Sequence, residues 1–339
     1  MVSGPPQITC QNPTCDYFMI EHDKQIRRNG HNSAGNQQYH CRHCNRYFIE
    51  TKHTPLYHSR LDRSQVESLA KFSVEKNSIR SVARLTNLDR GTISRYFQIF
   101  GDHAELLNES HTVNISPGEC ELDEIWSFVR KKEKMRNFDD PPEYGDCWTF
   151  TAIMRISGFL LSFACGKRTN ETCKRMFNDL YNIINLPFLD SKIIFMTDGN
   201  EQYENIIKSL YSETCIAYGK LIKEKKGNSL LKTRIEDVFG NIGNYKISTS
   251  VVEGYNNKIC QRSTAFLRKT AAFSKLLQSH IAKMNIFQFC NNFMELKWEW
   301  NGLQKVKERT PAMIEGIEDH VWTWRECLEC PAVRIKIAQ

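Results

Sequence analysis

The first residues with evident chemistry lie in the stretch GECELDEIWSFVRKK, residues 118 to 132, where Asp123 and Glu124 interrupt a strand-like run of Ile, Trp, Phe and Val. Carboxylates are poor strand formers and costly to bury, so a strand that keeps them needs a compensating charge. A second acid, Asp198, closes the buried-looking strand SKIIFMTDGN just before a Gly-Asn turn. A third, Glu253, falls in the first turn of a helix that starts near Val251, within ISTSVVEGYNNKICQRSTAFLRKT. Helical spacing sets Asn256, Asn257 and Cys260 on the same face as Glu253, giving it polar company rather than an ion-pair partner. Carboxylates held together repel, and a divalent cation is the usual remedy. Mg²⁺ takes few ligands from protein when phosphates and waters supply the rest, and a pair of such ions suits in-line transfer at a phosphodiester.

Cysteines make the other constellation. CQNPTC and YHCRHCNRYF supply a Cys-x4-Cys and a Cys-x2-Cys pair, the pattern of two knuckles on facing hairpins that hold one Zn²⁺ through four thiolates. Cys10, Cys15, Cys41 and Cys44 are the expected ligands, with His22, His31, His40 and His43 near enough to substitute. The segment around them, residues 8 to 52, has few large apolar side chains and would hardly fold without the metal. Cys327 and Cys330 form a further Cys-x2-Cys beside His320 but lack a fourth ligand, so no second zinc site is expected there.

Several elements must position these groups. After the linker KHTPLYHSRLDRS, apolar residues recur at helical spacing through Val66, Leu69, Ala70 and Phe72, then Ile79, Val82, Ala83 and Leu85, then Ile93, Tyr96, Phe97 and Phe100. Three helices follow, the last two joined by the TNLD turn with Asp89 placed to cap the third, as in a helix-turn-helix. In that motif Arg90, Thr92, Ser94 and Arg95 would face base edges; in a plain three-helix packing unit they would be solvated. Beyond Glu119 come the strands CWTFTAIMRI and GFLLSFACGKR around a Ser157-Gly158 turn, the helix TNETCKRMFNDLYNIIN, the strand ending at Asp198, and the helix EQYENIIKSLY. Three strands, helix, strand, helix fits a ribonuclease H-like layout, in which the first and fourth strands are neighbours and Asp123 faces Asp198.

Bulk properties agree with an ordinary multidomain protein. The chain has 339 residues, 40% hydrophobic and 25% charged, enough for two or three cores. Its start lacks a signal-peptide pattern and no apolar run is long enough to span a membrane, so an intracellular protein is expected. Thirteen cysteines in a reducing compartment fit metal binding plus buried thiols better than disulfides. A formal charge of +7 permits a polyanionic partner, and basic residues bunch at 130 to 136, 220 to 234 and 258 to 275. The middle stretch suits either phosphate contact or a solvated loop. Trp298, Trp300, Trp322 and Trp324 suit a core or a subunit contact.

Taken together, YHCRHCNRYF, HTPLYHSRL, DEIWSFV, MTDGNEQY, VEGYNN with RSTAFLRKTAAFSK, and RTPAMIEGIEDHVWTW resemble the DDE transposases of prokaryotic insertion sequences, the group with an N-terminal zinc ribbon and helix-turn-helix. The resemblance implies a multidomain α+β chain: a zinc ribbon at 1–55, a helix-turn-helix domain at 56–110, a ribonuclease H-like catalytic domain with a mixed five-stranded sheet at 111–290, and a tail at 291–339 packing on that domain or a partner subunit. It implies that Asp123, Asp198 and Glu253 bind Mg²⁺ or Mn²⁺ as a catalytic triad. It also implies cutting at element ends and strand transfer into target DNA by a homodimer or higher homo-oligomer in the cytoplasm or nucleoid. The basic residue that many such enzymes carry seven positions after the glutamate is replaced by Cys260; Lys258 and Arg262 flank it, and either could grip the substrate phosphate. Strand alternation lets only one of Asp123 and Glu124 point into the site; the motif selects Asp123, and Glu124 then pairs with a basic neighbour. Asp198 has the alternative of a turn residue before Gly199, and Glu253 that of a first-turn acid on the helix dipole. Glu119, Glu121, Glu201, Glu204 and Glu236 are weaker ligands. Two other functions use the same architecture: a structure-selective nuclease that cuts branched DNA without joining, and a DNA-binding regulator without chemistry.

Overall fold

The computed structural model describes residues 8–20, 24–33, 35–185, 191–226, 229–301 and 304–334. His22 lies outside them. Three short antiparallel strands, β1 (Ile26–His31), β2 (Gln37–Cys41) and β3 (Tyr47–Ile49), form the N-terminal sheet. Its interior is Cys10, Cys15, Tyr39, Cys41 and Phe48, too little apolar surface to offset the entropy of ordering the segment.

Helices α1 (Arg63–Val74), α2 (Ile79–Thr86) and α3 (Arg90–His111) follow, each with an N-cap. Asp62 and Gln65 make a reciprocal capping box, Ser78 accepts from the Ser81 amide, and Asp89 accepts from the amides of Gly91 and Thr92. The third helix runs for 22 residues, well beyond what a helix-turn-helix requires. Its second half buries Phe100, Gly101, Ala104 and Leu107, in a core shared with the later helix α7 (Leu277–Phe289). A Cβ at Gly101 would lie 2.2 Å from Ala282 Cβ, so only glycine permits this crossing.

The central sheet holds β4 (Glu119–Val129), β5 (Gly145–Met154), β6 (Leu160–Gly166), β7 (Ile193–Thr197), β8 (Ile216–Lys226) and β9 (Ser229–Phe239) in the order β6-β5-β4-β7-β8-β9. The first three are antiparallel, β4-β7 and β7-β8 are parallel, and β8-β9 is an antiparallel hairpin. The sequence resemblance implies five strands here; among the described residues the central sheet has six. The extra one, β9, lies in the basic stretch that suits a loop by composition, with Lys232, Thr233, Arg234 and Ile235 exposed. An edge strand needs only backbone pairing on one side, and its charges discourage pairing with other chains. Residues 227–228 at the hairpin turn lie outside the described residues.

Helices α4 (Asn170–Ile183) and α5 (Glu201–Leu210) cover one face of the sheet, packing Phe177 and Tyr203 against Phe150 and Phe195. On the other face, α6 (Ser250–Arg262) and α7 pack Val252, Ile259 and Met284 against Ile125, Val129 and Ile153. A π-helical turn, Cys290–Met294, ends α7 and leads into a separate hairpin, β10 (Lys297–Asn301) and β11 (Gln304–Arg309), then α8 (Pro311–Ile314) and α9 (Trp324–Glu329). Trp322 is buried against His111, Phe289 and Phe293, and Trp324 is half-buried in the same core. Trp298 is exposed beneath the Lys305 ammonium, 4.4 Å from its ring centre; the side chain of Trp300 lies outside the described ones. Among the described residues, no helix is long and apolar enough to cross a membrane.

Candidate functional site

Strand alternation sorts the acids of β4. Glu121 and Asp123 point toward α6, whereas Glu124 points toward α5. The parallel pairing of β4 with β7 sets Glu119 beside Ile194 and Glu121 beside Met196. Carried two residues further, that register brings Asp198, just past the end of β7, level with Asp123. Asp198 also accepts from the Asn200 amide at 3.1 Å, which closes the turn into α5. On the opposite side, Asn256 of α6 donates to Asp123 Oδ2 at 2.8 Å. Burial, together with the negative charges of Glu124, Asp198 and Glu253, pushes the Asp123 pKa up to about 7, against the Glu124 amide that lowers it.

Glu253 sits one turn before Asn256 on α6. It is 48% exposed, pairs with Lys223 of β8, and accepts from Thr249 Oγ1 at 2.9 Å. Among the described residues, Asp123, Asp198 and Glu253 do not form a group whose ligand oxygens all lie within 4.8 Å of one another. The donor set nonetheless suits Mg²⁺: all oxygen, with Asp123 destabilised by both other acids in a way that a cation would relieve.

Glu121, one of the weaker ligands by sequence, has another use here. Fully buried, it accepts from the Val251 and Val252 amides at 2.8 and 3.0 Å and lies 3.4 Å from Arg155 Nε. Thr249, the N-cap residue of α6, makes no side-chain capping bond, so Glu121 supplies the acceptor for the helix that carries Glu253 and Asn256. Replacing Glu121 with Ala is expected to cost about 1.5–3 kcal/mol in denaturant unfolding and to deprotect the start of α6 in hydrogen exchange. Gln, which keeps an oxygen acceptor, should lose less.

Glu124 is taken up on its own face: Arg168 pairs with it, Asn200 Nδ2 donates at 3.2 Å and the Tyr203 hydroxyl at 3.0 Å. Arg168 in turn lies over the Trp148 ring. Lys258 and Arg262 both converge on Glu295, with Arg262 also reaching Glu75 and Lys258 donating to Asn291 at 2.8 Å. In this structure the two therefore brace α6 against neighbouring elements, and a phosphate would have to compete with Glu295 for them.

The four N-terminal cysteines do come together. Their sulfurs all lie within 4.8 Å of one another, with Cys10–Cys44 at 3.7 Å and Cys15–Cys41 at 3.9 Å. Zn–S bonds near 2.3 Å put tetrahedral sulfurs about 3.8 Å apart, so the residues fit zinc. Burial pushes the Cys10 and Cys15 thiols up. At Cys44 burial is outweighed by hydrogen bonds from Asn12 and the Arg46 amide, which hold it down at about 6. His43 Nδ1 lies 3.6 Å from Cys15 Sγ; His40 instead bonds Asn45 at 2.7 Å and stacks on Tyr47.

At the start of α3, Arg90, Ser94 and Arg95 are exposed and Thr92 is half-buried. Arg95 lies over the Tyr96 ring. All four lie in the first two turns of α3, with Arg90 at its first position.

No family model matches the chain, and no curated protein is similar to it. Among solved structures it is similar to the cryo-EM structure of a piggyBac transposase synaptic complex with hairpin DNA, at 11% identity and a TM-score of 0.34. That match covers 68% of this chain and 66% of the other, just under two thirds of its length. The crystal structure of the Mos1 strand transfer complex is similar at 9% identity and a TM-score of 0.17, over 68% and 77%. Both likenesses are too distant to assign chemistry.

Proposed function

We propose that the chain is a DDE-type DNA transposase, a polynucleotidyl transferase that cuts DNA at element ends and joins them to target DNA. One observation carries this. Asp123, on the central strand, is bonded by Asn256 of the helix that bears Glu253, stands beside the end of the parallel strand that delivers Asp198, and is destabilised by the charge of both. The three acids come from distant parts of the chain, and Glu253 pairs with Lys223 in this structure. Mg²⁺ or Mn²⁺, when bound, supplies Lewis-acid stabilisation of the phosphodiester oxygens. Burial makes ionisation of Asp123 costly, Asn256 fixes its rotamer, and Asp198 is oriented by the Asn200 amide. Glu253 would help Asp123 and Asp198 hold the ion, and Lys223, its ion-pair partner here, would then be available to a DNA phosphate.

The remaining assignments follow the same proposal: a zinc ribbon at 1–55 and a helix-turn-helix at 56–110 hold double-stranded element ends, 111–290 does the chemistry, and two or more copies act together. The test is strand chemistry itself. With Mg²⁺ or Mn²⁺, the purified full chain should nick DNA carrying the ends of its own element and join the 3′ ends to a second duplex. Cutting of branched DNA without joining would replace the proposal with a nuclease. Binding with no chemistry would leave a regulator.

A further inference from the structure

The helix-turn-helix carries an open cleft of about 540 Å³ lined by Arg80, Ala83, Arg84, Asn87 and Arg90. On α2, Arg80 and Arg84 stand one turn apart, the spacing at which like charges disfavour a helix. Arg90 opens α3, where the positive end of the helix dipole also disfavours a cation. Asn87, left-handed at φ 55°, ends α2 and turns the chain along the same cleft. Arg84, in the last turn of α2, suits that helix's dipole, but Arg80 and Arg90 do not, so helix electrostatics alone does not account for three guanidinium groups gathered here.

Two other cations of this region are neutralised. Arg63 reaches Glu50 and Glu329, and Lys71 pairs with Glu67. Among the described residues, no carboxylate lies within ion-pair distance of Arg80, Arg84 or Arg90. Asp89, the acid nearest in sequence, is engaged with the Gly91 and Thr92 amides. Apart from Ala83, the cleft wall presents N–H donors and no negative charge. A small anion would be better held in a closed pocket; an open cleft with donors spread over two helices suits a polymer of phosphates.

We propose that this cleft is a phosphate clamp for duplex DNA, in which Arg80, Arg84 and Arg90 grip the sugar-phosphate backbone and the Asn87 amide adds a donor. The planar guanidinium fork matches phosphate oxygens two at a time. Arg90 then positions the duplex rather than reading it, and base discrimination is left to Thr92, Ser94 and Arg95 further along α3. The clamp rests on the DNA-binding part of the proposed function and is independent of its chemistry.

The experiment is fluorescence anisotropy of the zinc-loaded full chain with labelled duplexes of unrelated sequence, over a range of salt and without added Mg²⁺. The double variant R80Q/R84Q should bind every duplex about tenfold more weakly, and the slope of log K against log salt should shrink by about 2, as expected for two phosphate contacts. R84Q alone, with a slope change of about 1, serves if the double variant does not fold. R90Q should behave as R84Q does. An unchanged salt slope, a loss confined to one duplex sequence, or a loss seen on duplex RNA but not on DNA would each overturn the clamp. Strand joining by the wild type together with wild-type DNA binding by R80Q/R84Q would sink the clamp and leave the transposase standing.

Discussion

Replacing Asp123 with Asn is expected to abolish strand cleavage and joining, by about 10³-fold or more, while making the metal-free protein more stable above pH 7. The first effect follows from Lewis-acid stabilisation worth several kcal/mol, each 1.4 kcal/mol being tenfold in rate. The second follows from the direction of the pKa change. Burial and three acidic neighbours raise Asp123 from 3.8 to about 7 in the folded chain. A raised carboxyl contributes fully to stability below its unfolded value and loses that contribution as pH climbs through the folded one. The wild type should therefore weaken between about pH 4 and pH 7, by up to about 4 kcal/mol. Asn, uncharged throughout and still able to accept from Asn256, should not. Thermal melts of both proteins at pH 5.5 and pH 8, without divalent ions, should show a gap that widens with pH. Adding Mn²⁺ should raise the melting temperature of the wild type and leave the variant unmoved. A variant that is less stable than the wild type at pH 8 would mark Asp123 as a structural carboxylate and end the catalytic assignment.

The elements around this site are legible in the sequence because each has a period. Alternation in ECELDEIWSFV separates Asp123 from Glu124, and the structure sends Glu124 to Arg168, Asn200 and Tyr203 on the opposite face. The cap at Asp89 and the order of β4 to α5 can be read in the same way. What stays hidden is the identity of partners that lie far off in the chain. Nothing local to Glu121 announces that it will hold the amides of Val251 and Val252, 130 residues away, and nothing near Glu253 announces Lys223. Periodicity tells which side of a strand or helix is covered, not which residue covers it. The same limit explains Lys258 and Arg262, whose shared partner Glu295 lies beyond the next helix. It also explains β9, where charge hides a strand paired to β8 along its length and packed on the core, among the described residues, only at Val238 and Phe239, and the far half of α3, whose buried stripe is directed at α7 rather than at its own helical neighbours.

Loss of one zinc ligand should be the most destructive change outside the proposed catalytic centre, and its damage should stay local. Cys41→Ala removes a sulfur from a group of four that makes up most of the N-terminal core, leaving Tyr39 and Phe48 as its only other buried hydrophobic residues among those described. Structural zinc supplies about 10–16 kcal/mol of apparent folding energy in small domains, far more than two aromatic side chains can replace. The helices and central sheet share a separate, continuous core that contains none of the four cysteines. The variant should therefore lose its zinc on purification, become open to proteolysis between residues 8 and 52, and keep the main melting transition within a few degrees of the wild type. His43 provides the sharpest opposing case, because its Nδ1 is already 3.6 Å from Cys15 Sγ. Should Cys41→Ala retain one equivalent of zinc by metal analysis, with loss only on adding His43→Ala, the site is a three-thiolate centre with an exchangeable fourth ligand. Full zinc retention in the double variant would remove the metal from the N-terminal fold altogether.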